Sequence, residues 1–368
     1  MKTLLLIIRW IVGLLFIFSG LVKANDPLGL SYKMQEFFEV WGWHSFNDYT
    51  LALSMIMNVF EVVAGVAVII GWRMKLFSWL LLLLITFFTF LTGYALFSGK
   101  IKTCGCFGDC LPLTPAQSFG KDIFLLVLIL ILFASANKIK SALKPAAALA
   151  LLLLVTITTT AGQFYVLKHL PFVDCLPYKK GNNLQEQMKM PAGAIPDSLS
   201  IVFIYKKNGK QLEFDQLHFP ADFDSTYEYV DRHDKVVRKG NGLQPKILDF
   251  SLQTMSGTDT TAAVLGQSGK YLMVMARNLD DVADWSAGFE KIKQAAQQKN
   301  LPVLFVTADA DKAAATFPNA TVVKCDATVL KTAARVTPTY FIMQGANVLS
   351  KTSYTEEGKV LKEISSLK

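Results

Sequence analysis

The alternation of apolar and polar residues changes character near residue 164. Before that point lie five long apolar runs, at residues 4–22, 51–72, 76–97, 123–136 and 146–164. A helix crosses bilayer hydrocarbon with about 20 residues, in a range of about 17–25. Four runs have that length, and the fourth in order reaches it when extended back to Phe119 across Lys121 and Asp122. The runs are apolar on every side, unlike a helix that faces water on one side. They predict an α-helical membrane bundle of five spans. Arg9 interrupts the first run and no small-x-small pattern precedes Lys23, which favours a retained helix over a cleaved signal peptide.

After residue 164 the patterns shorten. Residues 174–195, with Pro177, Gly181, Asn182, Pro191 and Gly193, read as a connector. SLSIVFIYKKNGKQLEFD holds two alternating runs around Asn208-Gly209, a hairpin signal, and TYEYVDRHDKVVRKG is a second, weaker hairpin candidate. Together they predict a β-rich segment over roughly 198–240. From 246 onward, ILDFSL, KYLMVMA, LPVLFVTA, ATVVKCDA, VTPTYFIM and ANVLSKTSY read as strands, with helices at 284–298 and about 356–367. The expected organisation is 1–140 transmembrane, 141–164 a fifth transmembrane helix, 165–245 connector and β-rich segment, and 246–368 an α/β domain.

Loop charge predicts the orientation. Lys2 and Arg9, Arg73 and Lys75, and Lys138, Lys140 and Lys144 fall on one side if the spans alternate, and Lys/Arg excess marks the cytoplasm. Lys100, Lys102 and Lys121 run against this, accompanied by Asp109 and Asp122. The expectation is a multi-pass protein of a bacterial inner membrane, with its N-terminus cytoplasmic and its C-terminal domain exofacial, or periplasmic. Residues 32–46, YKMQEFFEVWGWHSF, mix aromatics with Lys33, Glu36 and Glu39 as an interfacial amphipathic helix does.

Composition sharpens the division. The chain is 52% hydrophobic and 18% charged, against about 25% charged for a soluble protein. Residues 1–164 carry 12 Lys/Arg and 7 Asp/Glu, and the remainder 25 and 22. The net +8 is spread over both halves with only short Lys runs, so nucleic acid is not indicated. Serine triads, phosphate loops and metalloprotease motifs are absent.

Two groups of residues carry candidate chemistry. Glu61 lies mid-span with Asn58 one turn earlier. A mid-bilayer carboxylate costs a few kcal/mol, roughly 2.5–3.5 for Asp on insertion scales, so it is expected to be protonated, paired or facing a polar cavity. Arg9 is the candidate partner. A packing pair and a proton or ligand path, including a small-ligand carrier built on the Glu61 region, are both open readings.

The cysteines are the second group. Cys104, Cys106 and Cys110 fall in TCGCFGDC between the third and fourth spans, and Cys175 follows the fifth in LPFVDCLPYKK. On the predicted topology all four lie on the oxidising side. Four cysteines allow three pairings. Cys104–Cys106 closes a strained ring, so Cys106–Cys110 or Cys104–Cys110 is favoured within the loop. Gly105 and Gly108 give the turn its backbone freedom. A short exposed loop supplies an attacking and a resolving thiol, with a membrane quinone as candidate acceptor and an exported client or thiol-redox protein as candidate partner. A structural disulfide and a four-cysteine zinc site are the alternatives, although the spacing is not that of fingers or ribbons. Cys325, within a predicted core strand, reads as a buried thiol. The four histidines show no ligand spacing.

IIRWIVGLLFIFSGLVKANDPLG, with its RxxxGxxFxxSGxxK pattern, NVFEVVAGVAVIIG and CGCFGDC resemble the DoxX-like and MauE-like membrane proteins over about residues 1–140. The resemblance implies a four-helix core plus an extra helix leading to an exofacial domain. It also implies an inner-membrane role in the maturation or disulfide status of exported proteins. MauE-like proteins are linked to processing a disulfide-rich methylamine dehydrogenase subunit, and DoxX relatives to quinone-coupled sulfur oxidation. Nothing else in the chain points to methylamine. The strand and helix order of 246–368 resembles the thioredoxin fold, and Thr337-Pro338 ahead of a strand matches that fold's cis-proline loop, an expected partner-binding surface. The CxxC that should follow KYLMVMA is missing, since RNLDDVADW stands there. The domain is therefore not expected to perform dithiol chemistry alone. A membrane-anchored scaffold with structural disulfides is the non-enzymatic alternative.

Overall fold

The computed structural model describes residues 2–101, 105–195, 198–215, 218–238 and 240–367. The apolar runs become α1 (Lys2–Asn25), α3 (Thr50–Ile70), α4 (Met74–Ser98), α5 (Pro115–Ala134) and α6 (Pro145–His169), with α2 (Pro27–Trp41) between the first two. All but α2 are long and apolar enough to cross a membrane. The amphipathic stretch at 32–46 divides into the end of α2 and a 3-10 turn over His44–Tyr49.

On α1 the residues Leu4, Ile7, Ile11, Leu14, Phe18 and Leu21 are exposed, whereas Leu5, Ile8, Val12 and Phe16 are buried. Both sets recur at helical spacing, so one apolar face meets protein and the other is left for lipid. α1 and α3 run antiparallel in close contact. A Cβ on Gly65 would stand 2.7 Å from the Gly13 carbonyl oxygen, and one on Gly20 would stand 2.9 Å from that of Asn58. Small residues let two membrane helices approach this closely. The approach fixes which polar groups of the two helices meet.

The chain divides into two units, Met1–Gly181 with Ser251–Lys368, and Asn182–Phe250. The second unit holds α7 (Leu184–Gln187) and an antiparallel sheet of β1 (Ser198–Lys207), β2 (Lys210–Asp215) and β3 (Glu228–Arg238), in the order β2-β1-β3. Asn208 and Gly209, with φ of 51° and 79°, turn the β1–β2 hairpin, as a two-residue loop with both central φ positive does. The second hairpin expected in TYEYVDRHDKVVRKG does not form. That stretch is the single strand β3, paired along β1 from Ser198↔Arg238 to Lys206↔Glu228. It contains no Asn-Gly or Asp-Gly, and β1 offers it an open edge.

The remainder of the first unit is a mixed α/β segment. In chain order it contains α8 (Thr261–Gly266), β4 (Lys270–Ala276), α9 (Val282–Gln298), β5 (Val303–Thr307), α10 (Ala310–Thr316), β6 (Thr321–Lys324), α11 (Ala327–Ala333), β7 (Thr339–Gln344), β8 (Asn347–Ser353) and α12 (Glu357–Ser366). The sheet order is β6-β5-β4-β7-β8, with β4, β5 and β6 parallel and β7 and β8 antiparallel. Leu272, Val274 and Ala276 of central β4 pack in one core with Phe289 and Ile292 of α9 and Val360 and Ile364 of α12. Tyr271, Met273 and Met275 on the opposite face are equally buried, which explains the unbroken apolar run of KYLMVMA. ILDFSL is not a strand. Only Gln253, just beyond it, makes isolated bridges, to Lys324 and Asp259. Cys325 lies just past β6 and is buried, and burial pushes its thiol up to about 12.

Candidate functional site

The helix-one pattern becomes one face of α1. Residues 9, 13, 16, 20 and 23 recur at intervals of three or four, and the Gly13 and Gly20 positions press that face against α3. Lys23 is thereby brought to Glu61, and its ammonium donates to Glu61 Oε1. The side chains are 2% and 0% exposed. Glu61 Oε2 is buried and has no hydrogen-bond partner among the described residues.

Arg9 is not the partner of Glu61. It donates to the carbonyls of Val68, at 3.0 Å, and Ile69 at the C-terminal end of α3, where a cation complements unpaired carbonyls. Arg9 is 14 residues from Lys23, about 21 Å along a helix, and the antiparallel packing puts Glu61 opposite Lys23. Asn58 stands apart from the ion pair. Its amide donates to Gln163 Oε1 at 3.0 Å, and Gln163 donates to the Met55 carbonyl at 3.2 Å, joining α3 to α6.

A second ionic group comes from α5. Lys121 pairs with Asp122, whose other oxygen accepts from Thr92 Oγ1 at 3.0 Å. The cysteine loop closes over this polar floor. Gly105 and Gly108 have φ of 68° and 57°, and the Cys106 carbonyl accepts from Ser19 Oγ at 3.1 Å. Cys106 is a free thiol. Burial raises its pKa, against the opposing charge of Lys121.

Cys106 borders two cavities. One, small, is lined by Ser19, Lys23, Glu61, Phe88 and Lys121. The other is larger and is lined mainly by apolar and aromatic side chains of α2, α3 and α4, with Lys23 and Cys106 in its wall.

The sequence leaves the pairing open, and neither Cys106–Cys110 nor Cys104–Cys110, the two favoured within the loop, is the bond formed. Cys110 is bonded to Cys175, with a Cα–Cα distance of 4.8 Å, so the disulfide joins the loop to the chain beyond α6 and is not internal to the loop. Cys104 lies outside the described residues. Each half of the disulfide follows an aspartate, and each aspartate is held by a cation of the mixed sheet segment. Arg335 Nη2 donates to Asp109 at 2.9 Å while its Nε donates to Asp26 at 2.9 Å, and Lys351 donates to Asp174 at 2.7 Å. Burial lowers the Lys351 pKa, with Asp174 opposing it.

Thr337-Pro338 is a cis peptide, and Pro338 is buried. Thr337 Oγ1 accepts from Arg277 at 2.9 Å, and Arg277 also donates to the Tyr32 hydroxyl of α2. Lys331 and Arg335 lie over the same tyrosine ring. The expected partner-binding loop is thus engaged with α2. His218 pairs with Asp215 at 2.7 Å and His169 stacks on Tyr165. No cluster suited to a metal occurs among the described residues.

Sequence reasoning missed Lys23, Gln163, Lys121, Asp122, Arg335 and Lys351 as site residues. Two signals pointed to some of them: the shared helical face of Arg9, Gly13, Gly20 and Lys23, and the repeated Asp-Cys at 109–110 and 174–175.

The chain matches no curated protein and no solved structure. Residues 199–239 match a family described as Domain of unknown function (DUF8463). Residues 1–135 match the family described as Methylamine utilisation protein MauE. With its five apolar helices, the chain is a multi-pass membrane protein in contact with the bilayer, and its first 135 residues are similar to MauE.

Proposed function

We propose that the protein belongs to an exofacial thiol-redox or exported-protein maturation pathway of a bacterial inner membrane, passing electrons from a client dithiol to a membrane quinone. The observation that carries this reading is the free Cys106 thiol, bordered by a buried ion pair and an apolar cavity, four residues from the Cys110–Cys175 disulfide. The reading keeps the N-terminus cytoplasmic and the disulfide on the oxidising side, where such bonds persist.

The chemistry balances in three steps. A client dithiol reduces Cys110–Cys175, giving a client disulfide and two thiols. Cys106 and Cys110 then form a disulfide while two electrons and two protons convert the quinone to hydroquinone. The Cys175 thiolate attacks Cys110 Sγ, restoring Cys110–Cys175 and releasing Cys106 as a thiol. Cys104 is a further thiol position on the same loop. The DoxX side of the resemblance, with its quinone-coupled chemistry, fits this scheme.

The mixed sheet segment is read as a thioredoxin-like domain without its own dithiol. Supporting this are three parallel strands beside two antiparallel ones, the packing of α9 and α12 on one face, and Thr337-Pro338 just ahead of β7. Arg277 and the residues after it stand where the dithiol would be. On this reading the domain positions the disulfide through Arg335 and Lys351.

A scaffold with a purely structural disulfide is the second reading. It is favoured by the two aspartate–cation contacts beside Cys110 and Cys175. Alkylation mass shifts on anaerobic membranes first treated with mild dithiol reductant and washed, with and without added quinone, separate the two. Quinone-dependent loss of alkylatable thiols, abolished by Cys106→Ser, supports electron transfer. Cysteines that stay locked under mild reductant, with Cys→Ser variants that only lower abundance, support the scaffold.

A further inference from the structure

We infer that the larger cavity, between α2, α3 and α4, seats the ring of a lipid-soluble quinone, with Lys23 facing a ring oxygen and Cys106 beside the ring. The choice of a quinone rests on the redox reading above; the existence of a site for an apolar ring with a polar edge rests on the cavity itself. It is the larger of the two cavities that Cys106 borders.

The lining is almost wholly apolar, with the lysine side chains of Lys23 and Lys33 in its wall. Phe37, Phe38, Trp41 and Phe88 offer flat apolar surfaces to a ring. Lys23 in the same wall is almost fully buried and carries three N–H donors. One of these donors goes to Glu61 Oε1; a quinone carbonyl can accept from another, which a hydrocarbon chain cannot. Glu61 Oε2 in the adjoining cavity is buried without a partner among the described residues. It places an acceptor beside Lys23 and Cys106, where thiol protons leave during oxidation.

The mouth also suits a ligand dissolved in lipid. Leu53 of α3 and Phe87 of α4 line the cavity and are exposed on helices whose outer faces meet the bilayer. A ring carried on an isoprenoid tail can enter sideways between them and leave its tail among acyl chains. Cys106 lines this cavity and stands four residues before Cys110 on the same loop.

The test is photolabelling of the full chain in phospholipid nanodiscs with a short-tailed azido-ubiquinone, followed by peptide mapping. Label is expected on peptides covering residues 37–41 and 87–91, competed by unlabelled ubiquinone-1. It should fall at least tenfold in the cavity-filling variants Met57→Trp and Leu91→Phe, with the Cys110–Cys175 mass shift as the check that each has folded. Label spread over outer helix faces, uncompeted and unchanged in both variants, overturns the inference and leaves the cavity to acyl chains. Confined, competed label without quinone-driven thiol loss keeps the site and removes the redox reading. Quinone-driven thiol oxidation as fast in both variants as in the parent overturns the site and keeps the redox reading.

Discussion

Replacing Lys23 with Met removes an ammonium while keeping most of the side chain's length and volume. Glu61 is then left at 0% exposure, with Oε1 stripped of its donor and Oε2 already without one. Breaking one side of a buried ion pair costs about 3–5 kcal/mol, which lowers the folded-to-unfolded ratio by roughly two to four powers of ten. Removing both charges in Lys23→Met/Glu61→Leu leaves no uncompensated ion. An apolar pair of similar volume is often neutral or better, so the double variant should be more stable than either single one. The assay is a double-mutant cycle on the purified chain in mixed micelles, unfolded reversibly with SDS and followed by tryptophan fluorescence. Single variants within about 0.5 kcal/mol of the parent, the usual range of surface changes, would refute the pair. So would a double variant whose loss equals the sum of the singles.

The other predictions follow from the same contacts. Cys175→Ser opens a loop of sequence separation 65, worth about 4 kcal/mol in the chain-entropy description; non-reducing thermal melts of variant and parent measure it. Arg335→Met leaves Asp26 and Asp109 without their shared guanidinium. The loss should be about 2–3 kcal/mol, below that at Lys23 because Asp109 is half exposed. Arg335→Lys should recover little of it, since an ammonium does not reproduce the fork, and limited proteolysis of the mixed sheet segment reports both. Alkylation reads the thiols: burial raises the Cys106 pKa, so at a given pH less thiolate is present. Its iodoacetamide rate should therefore keep climbing past the ordinary thiol midpoint of about 8.5. Cys325, pushed up to about 12, should stay unmodified near pH 8 until the chain unfolds, as mass spectrometry of timed samples will show.

The spans were legible because a bilayer demands a fixed apolar length, and the β1–β2 hairpin because Asn208-Gly209 supplies two positive φ angles. Glu61 was legible as a charge needing compensation, but its partner was not. Lys23 ends an apolar run, where a lysine ordinarily reaches the interface. Only the antiparallel contact set by Gly13, Gly20 and Gly65 turns it toward α3. The cysteine pairing was hidden for a similar reason, since it depends on where α6 delivers Cys175, a tertiary fact. The cations that hold Asp109 and Asp174 come from the far end of the chain, with no local pattern to announce them. The single strand β3 was misread because alternating polarity marks extended chain and does not identify the edge it will join.

Stoichiometry shows whether the loop thiols reduce a quinone. The fully reduced chain is mixed anaerobically with excess ubiquinone-1 in nanodiscs, and hydroquinone and free thiols are counted together. One hydroquinone is expected for every two thiols lost, with Cys110 in the resulting disulfide and no reaction in Cys106→Ser. Hydroquinone yield at the level of protein-free nanodiscs, with every thiol still alkylatable, would contradict it.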